Sequence, residues 1–480
     1  MVLIGLHLLK FRMDTLENTL YNSILQERRQ KGAKFMPNDL TTGKPMKLII
    51  GFTIPILIGN IIQQLYYVID SIIVGQYLGV NALAAVGSTS SLTFLVIGWI
   101  MGMTGGFAII VAQRYGAEDI DGLRHYVAMS YFLCIIMAVI MTIGLLWTNG
   151  LVLTSMNTPK EIYGDTYRFI QVIYIGIAAT IAYNILASIL RAIGDSKTPL
   201  YFLVLSSILN IILDYLFIGG FSMGVEGAGY ATVISQAFAS ILCLVYMLKK
   251  YPVLRLKKED IYFSGASVRK LIGMGTPMGL QFSITAIGTM IVQVALNGLG
   301  PIYIAAFTAA SKIQNIITQP FPSLGASLAT FVGQNTGAGR MDRVKEGVRA
   351  NIILSIICGV FSMIAVLVFG DILVKFFITE NSDLVVEKAR IYFYAAAGLY
   401  IPLGLIFVYR NSLQGLGYGL LPMMGGIFEL IARVLVIFLL TKPLGYVGIC
   451  LAHPVAWASA LIPLIPAYYY RIKKLSRGVD

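Results

Sequence analysis

Long apolar runs of about 20 residues, separated by short polar clusters, recur along nearly the whole chain. At about 1.5 Å per helical residue, such a run matches the ~30 Å hydrocarbon core of a bilayer, so each predicts a membrane-spanning helix. Twelve runs are centred near residues 62, 100, 136, 175, 209, 237, 285, 317, 358, 399, 431 and 458. Gly, Pro or charged clusters bound them, among them "RYGAEDIDGLRH", "RAIGDSKTP" and "KKYPVLRLKKED". The pattern predicts an all-α polytopic membrane protein with twelve transmembrane helices.

Composition excludes a soluble reading. With 57% hydrophobic residues, 12% charged residues and a mean hydropathy of +0.78, the chain carries more apolar surface than one soluble core can hide. The net charge of +13 does not point to nucleic acid, because the basic residues are scattered over short loops and the two tails. They fix topology instead. Lys249, Lys250, Arg255, Lys257, Lys258, Arg269 and Lys270 crowd the central connection, and Arg340, Arg343, Lys345 and Arg349 follow the eighth run, whereas "LGVNALAAVG", "FIGGFSMGVEG" and "NGLGPIYIAA" hold no Lys or Arg. By the positive-inside rule both termini and the central connection are expected on the cytoplasmic side of a multi-pass plasma-membrane protein. The four cysteines lie inside apolar runs without metal-ligand spacing, so neither a disulfide framework nor a zinc site is expected. The opening "MVLIGLHLLKFR" is too short to span and lacks a basic leader, so residues 1–45 are expected to form an uncleaved cytoplasmic tail. Translation from Met13 instead of Met1 fits the sequence equally well.

The chain also repeats itself. Pro55 in "FTIPILIG" aligns with Pro277 in "GTPMGLQ", "VAQRYGAED" with "VGQNTGAGR", "RAIGDSKTPL" with "QGLGYGLLPM", and "GVEGAGYAT" with "GYVGICLAH", each pair about 222 residues apart. The duplication divides the protein into a first lobe at 46–248, a linker at 249–267, a second lobe at 268–471 and a tail at 472–480. Six helices per lobe give both lobes one orientation, with a cavity between them, which is transporter architecture.

Polar residues inside the apolar runs then stand out. Asp70, Asp214, Asn210 and Thr232 all fall in the first lobe, and the repeat places no acid opposite either aspartate. Counted along their helices, Asp70, Asp214 and Thr232 lie at similar depth, with Asn210 one turn from Asp214 on the same face. Two carboxylates, an amide oxygen and a hydroxyl suit a monovalent cation or a shared proton, and intramembrane acids mark ion or proton paths. A purely structural polar network is the competing reading.

The segments "DLTTGKPMKLIIGFTIP", "YYVIDSIIVGQYLG", "LRAIGDSKTPL", "LNIILDYLFI" and "GVEGAGYAT", in this order, resemble the multidrug and toxic compound extrusion (MATE) family from residue 40 onward. The resemblance implies a two-lobe exporter that alternates between outward-open and inward-open states, driven by Na⁺ or H⁺. The family's first-lobe cation site falls on Asp70, Asn210, Asp214 and Thr232, and Gln63 matches a cavity-lining position. Acidic coupling residues of one branch have no counterpart near Gln281 or near Leu403 and Gly404, so the chain resembles the DinF-like branch.

The second lobe has its own charges. Glu429 and Arg433 are spaced for an ion pair on one helix face, with Arg410 one helix earlier, and a cavity role for Glu429 is the alternative. Gln63, Tyr66, Gln281, Glu429 and Arg433 are the candidate substrate-cavity residues. Pro55 deprives the first helix of a backbone donor and makes it bendable; a static kink fits as well. His453, before Pro454, reads as a packed neutral histidine.

The sequence thus predicts a monomeric antiporter that exchanges lipophilic, cationic or zwitterionic small molecules for Na⁺ or H⁺ across the bilayer. No catalytic constellation or GxxxxGK[ST] stretch occurs, so neither enzyme activity nor a cofactor is expected. A lipid-linked saccharide flippase is the alternative, and it would require a basic central cavity.

Overall fold

Where the sequence places its apolar runs, the chain is helical. The computed structural model describes residues 39–156, 158–376 and 382–476; the opening apolar run, Met13 and the last four residues lie outside the described residues. The first lobe contains α1 (Pro45–Ser88), α2 (Ser90–Gly116), α3 (Ile120–Ser155), α4 (Lys160–Ile175), α5 (Ile177–Ala192), α6 (Lys197–Asp214) and α7 (Val225–Lys250). The second contains α8 (Gly265–Asn297), α9 (Pro301–Ile317), α10 (Pro320–Gly337), α11 (Met341–Lys375), α12 (Ser382–Ala397), α13 (Tyr400–Gly415), α14 (Leu420–Leu444) and α15 (Tyr446–Leu475).

Among the described residues nine helices are long and apolar enough to cross a membrane, and two bent pairs raise the number to eleven. The remaining expected run, centred near residue 317, is split between α9 and α10. The bends have local causes. The pair α4 and α5 turns by 48° at Gly176, where a Cβ would come within 2.1 Å of Val233. In α1 the helical dihedrals break at Gly79, whose φ of 85° favours glycine, and not at Pro55. The first crossing therefore ends at Gly79.

The lobes meet along a seam of small residues. On α2, Gly98, Gly102 and Gly106 recur every fourth position, as do Gly275 and Gly279 on α8. A Cβ on Gly102 would lie 2.4 Å from the Gly279 nitrogen, and one on Gly106 would lie 2.5 Å from the Gly275 Cα. Small residues at this spacing let helix backbones approach closely inside a bilayer, where packing replaces the hydrophobic effect as the driving force. The duplication repeats this contact between α1 and α10 with small hydroxyls: Thr53 donates to Ser327 at 2.8 Å. These positions are the repeat partners of Gly275 and Gly106. Farther along the seam, Asn60 donates from Nδ2 to the Ser323 hydroxyl at 3.1 Å.

Amides tie the lobes at the end that carries the N-terminus of α1 and the C-terminus of α15. Gln334 donates to the carbonyl of Ala192 at 2.8 Å and accepts from the Leu40 amide at 2.9 Å. The Leu40 carbonyl accepts from Asn335 and Arg343, both at 3.3 Å. Leu40, near the end of the expected tail, is therefore docked and buried. Its backbone groups are satisfied by side chains of α10 and α11, a bond type that leaves no mark in the sequence.

The central connection is docked too. Its two 3₁₀ turns, Pro252–Leu254 and Lys258–Asp260, lie against the start of α3. Arg124 donates to the Val253 carbonyl at 3.0 Å. His125 joins the Asp260 carbonyl (3.2 Å) to the Ser267 hydroxyl on α8 (2.9 Å) and stacks on Tyr262 with ring centroids 4.0 Å apart.

Candidate functional site

Helices α1, α6 and α7 bring the four first-lobe candidates together. Asp70 comes from the last third of the first crossing, Asn210 and Asp214 from successive turns of α6, and Thr232 from the second turn of α7. Asp214 and Asp70 are side by side. All three of the larger groups are buried, at 8% exposure for Asp70, 1% for Asn210 and 0% for Asp214. Neither aspartate forms an ion pair among the described residues. One oxygen of Asp70, both of Asp214 and both polar atoms of Asn210 have no hydrogen-bond partner. Leaving such groups buried and unpaired is costly, and costlier still inside a membrane.

Two features around this cluster are not legible in the residue pattern. Tyr66, one turn before Asp70, places its hydroxyl 2.9 Å from the Thr232 hydroxyl. Directly after Asp214 the helix widens into a π turn, Tyr215–Gly220, a distortion frequent at functional sites. On the side of Gly79 the acids are closed off by an apolar cluster of Ile73, Val74, Ala82, Ile218, Val225 and Ala228. On the other side a cavity of about 120 Å³ opens inside the lobe. Asn210, Thr232, Gln63, Tyr66 and Pro55 line it. Two of the five substrate-cavity candidates, Gln63 and Tyr66, thus face one space with Asn210 and Thr232, while Asp70 and Asp214 are not among its lining residues.

The other three are elsewhere. Gln281, Glu429 and Arg433 are buried in the second lobe, away from this cavity. Arg433 pairs with Glu429 at 3.0 Å, as their spacing on α14 predicts. The pair is one half of a larger unit, because Arg410 on α13 also binds Glu429. With its amide oxygen turned toward Arg410, Gln281 accepts from Nε at 3.3 Å and Nη1 at 3.2 Å. Arg433 donates from Nε to Nδ1 of His453 at 3.3 Å, so this ring nitrogen is unprotonated, in keeping with a packed neutral histidine. The carboxylate of Glu429 is held by two guanidiniums.

Two repeat-related helical lobes joined along one seam, with buried, unpartnered acids in only one of them among the described residues, define a two-lobe membrane transporter. The MatE family model matches residues 55–216 and 277–439, once in each lobe, and the chain belongs to the MATE family. The two matches begin at Pro55 and Pro277, the repeat-related prolines. The chain is 31% identical to the probable multidrug resistance protein YpnP of Bacillus subtilis, covering 71% of this chain and 76% of that protein. It is 28% identical to the probable multidrug resistance protein YoeA of the same organism, over 89% and 95%. The fold is similar to that of a multidrug resistance MATE family transporter of the MOP superfamily in its outward-facing conformation. The TM-score is 0.86 at 24% identity, covering 92% of this chain and 99% of the other.

Proposed function

We propose that this chain is a cation-coupled antiporter that exports lipophilic, cationic or zwitterionic compounds, with Asp70, Asn210, Asp214 and Thr232 as its coupling site. One observation carries the reading: two buried carboxyl groups stand side by side with three oxygens unpartnered and no basic residue joined to either. Two like charges at such a distance, out of water, do not both stay ionised without compensation. A proton shared between them, or a monovalent cation held by the carboxylates, the Asn210 amide oxygen and the Thr232 hydroxyl, supplies it. An ion that binds one access state better than the other shifts their populations by that difference in affinity, which is all that coupling requires.

The description of both Bacillus relatives as probable multidrug resistance proteins supports export of chemically varied compounds. The basic residues of the central connection support a cytoplasmic position for the termini-bearing end in a plasma membrane. Pro55 serves as the bending point through which occupancy at Asp70 is read out along α1. A flippase for lipid-linked saccharides needs free basic groups for a pyrophosphate; Arg410 and Arg433 are both bound to Glu429. The test is dye efflux from proteoliposomes under separately imposed Na⁺ and pH gradients. Efflux that follows at least one gradient supports the reading, and efflux indifferent to both refutes it.

A further inference from the structure

The cavity inside the first lobe extends well beyond the acid cluster. Along α6 its lining runs from Asn210 back to Pro199, and along α5 from Thr180 to Arg191, about 16 Å on each helix. It therefore leads from Asn210, one turn from Asp214, toward the end at which the two lobes are tied. Its volume of about 120 Å³ is too small for a drug-sized compound. It is polar and roomy enough to hold water.

The lining carries many polar groups. The amide of Asn60 donates to Ser323 (3.1 Å), that of Gln63 to Tyr67 (3.4 Å) and that of Asn184 to the Thr180 carbonyl (2.8 Å). The Tyr183 hydroxyl donates to the Pro199 carbonyl at 3.2 Å. Each of these amides gives one of its two N–H groups to a protein partner, while the oxygens of Asn210 and Gln236, the Asn210 amide nitrogen and the Ser235 hydroxyl have no partner. Such a surface solvates cations and water. At the far end is the opposite chemistry: Arg191 lines the cavity, its guanidinium donates to the Ser188 hydroxyl at 3.1 Å, and it forms no ion pair among the described residues.

We infer that this cavity is a hydrated inner passage for the coupling cation and that Arg191 is its electrostatic plug. The monovalent cation or proton held by the acid cluster exchanges with water through the first lobe, separately from the compound that moves between the lobes. An unpaired positive charge across so narrow a path is a barrier to any cation, as in pores that exclude protons and cations with a single arginine. The barrier keeps the passage from short-circuiting the ion gradient. The inference rests on the coupling site proposed above.

The test uses the full chain in proteoliposomes without exported compound, with radioactive Na⁺ uptake and a pH-sensitive dye as readouts. Arg191→Gln is expected to raise Na⁺ or H⁺ leak at least about tenfold, and Arg191→Lys to leave it near the native level. Adding Asp214→Asn to Arg191→Gln is expected to remove the new leak. A folded Arg191→Gln protein as tight as the native one overturns the inference, and so does a leak that survives Asp214→Asn. Should Arg191→Gln not fold, Ser235→Cys in the native background decides. Modification by a small cationic thiol reagent, above that of the native cysteines, supports a wet passage, and none refutes it. If native efflux ignores both gradients, the coupling reading itself fails; if efflux is coupled and Arg191→Gln stays tight, only the passage fails.

Discussion

Gln113 donates from Nε2 to the carbonyl oxygen of Gly415, 2.9 Å away across the seam between the lobes. Its repeat partner Gln334 makes the same bond in the other direction, to Ala192 at 2.8 Å. Two glycines permit both: a Cβ on Gly337 would sit 1.8 Å from the Gln113 carbonyl oxygen, and one on Gly116 would sit 1.9 Å from that of Gln334. The duplication has been used to build one interlobe clasp twice.

The clasp predicts that Gln113→Ala and Gln334→Ala each weaken closure of this end by about 1 kcal/mol, the net worth of one hydrogen bond. Cysteine pairs introduced across the seam should cross-link more slowly in the double variant than in either single one. Gly116→Ala and Gly337→Ala should be more harmful, since the backbone itself must move. Unchanged cross-linking in the glutamine double variant would show that the bonds do not hold the seam.

The second-lobe charges give a stability prediction. Glu429→Gln strands two buried guanidiniums and should cost about 3–5 kcal/mol, more than either arginine substitution alone. Replacing Glu429, Arg410 and Arg433 together by neutral residues of similar size should recover much of the loss. Thermal unfolding in detergent measures it. Additive effects of the three substitutions would mean that the groups act independently.

The bond between Tyr66 and Thr232 predicts a graded effect on ion affinity. Tyr66→Phe removes a competitor for the Thr232 hydroxyl at a stability cost of about 1 kcal/mol. It leaves the hydroxyl free to face the cation. Thr232→Val removes the oxygen itself, and should weaken coupling-ion binding more than Tyr66→Phe does. The ion concentration giving half-maximal efflux in the two variants is the readout, and the reverse order would remove Thr232 from the site.

Much of this architecture is legible in the sequence because membrane helices are long and uniform. Run length located the crossings, and a repeat of about 222 residues located the lobes. Asp70 and Asp214 stand out because acids are rare in apolar runs, and Glu429 and Arg433 because helical spacing announces a pair. Contacts between helices are less visible. Arg410 reaches Glu429 from another helix, with no periodicity to connect them, and Tyr66 finds Thr232 from 166 positions away. Leu40, Ala192 and Gly415 enter the lobe contacts through backbone carbonyls or amides, which every residue has. Arg191 reads as the basic end of a helix, and only the packing of α5 against α6 and α7 shows the cavity it closes.

The central claim is that the acid pair couples ion entry to export. Gradient-driven dye efflux and passive dye counterflow, measured on the same proteoliposomes for the native chain, Asp70→Asn and Asp214→Asn, test it most directly. Removing a buried charge relieves desolvation, so both variants should insert and unfold at no lower temperature than the native chain. Counterflow should persist in both variants while efflux driven by Na⁺ or H⁺ falls to the level without a gradient. Gradient-driven efflux at the native rate in both variants would contradict it.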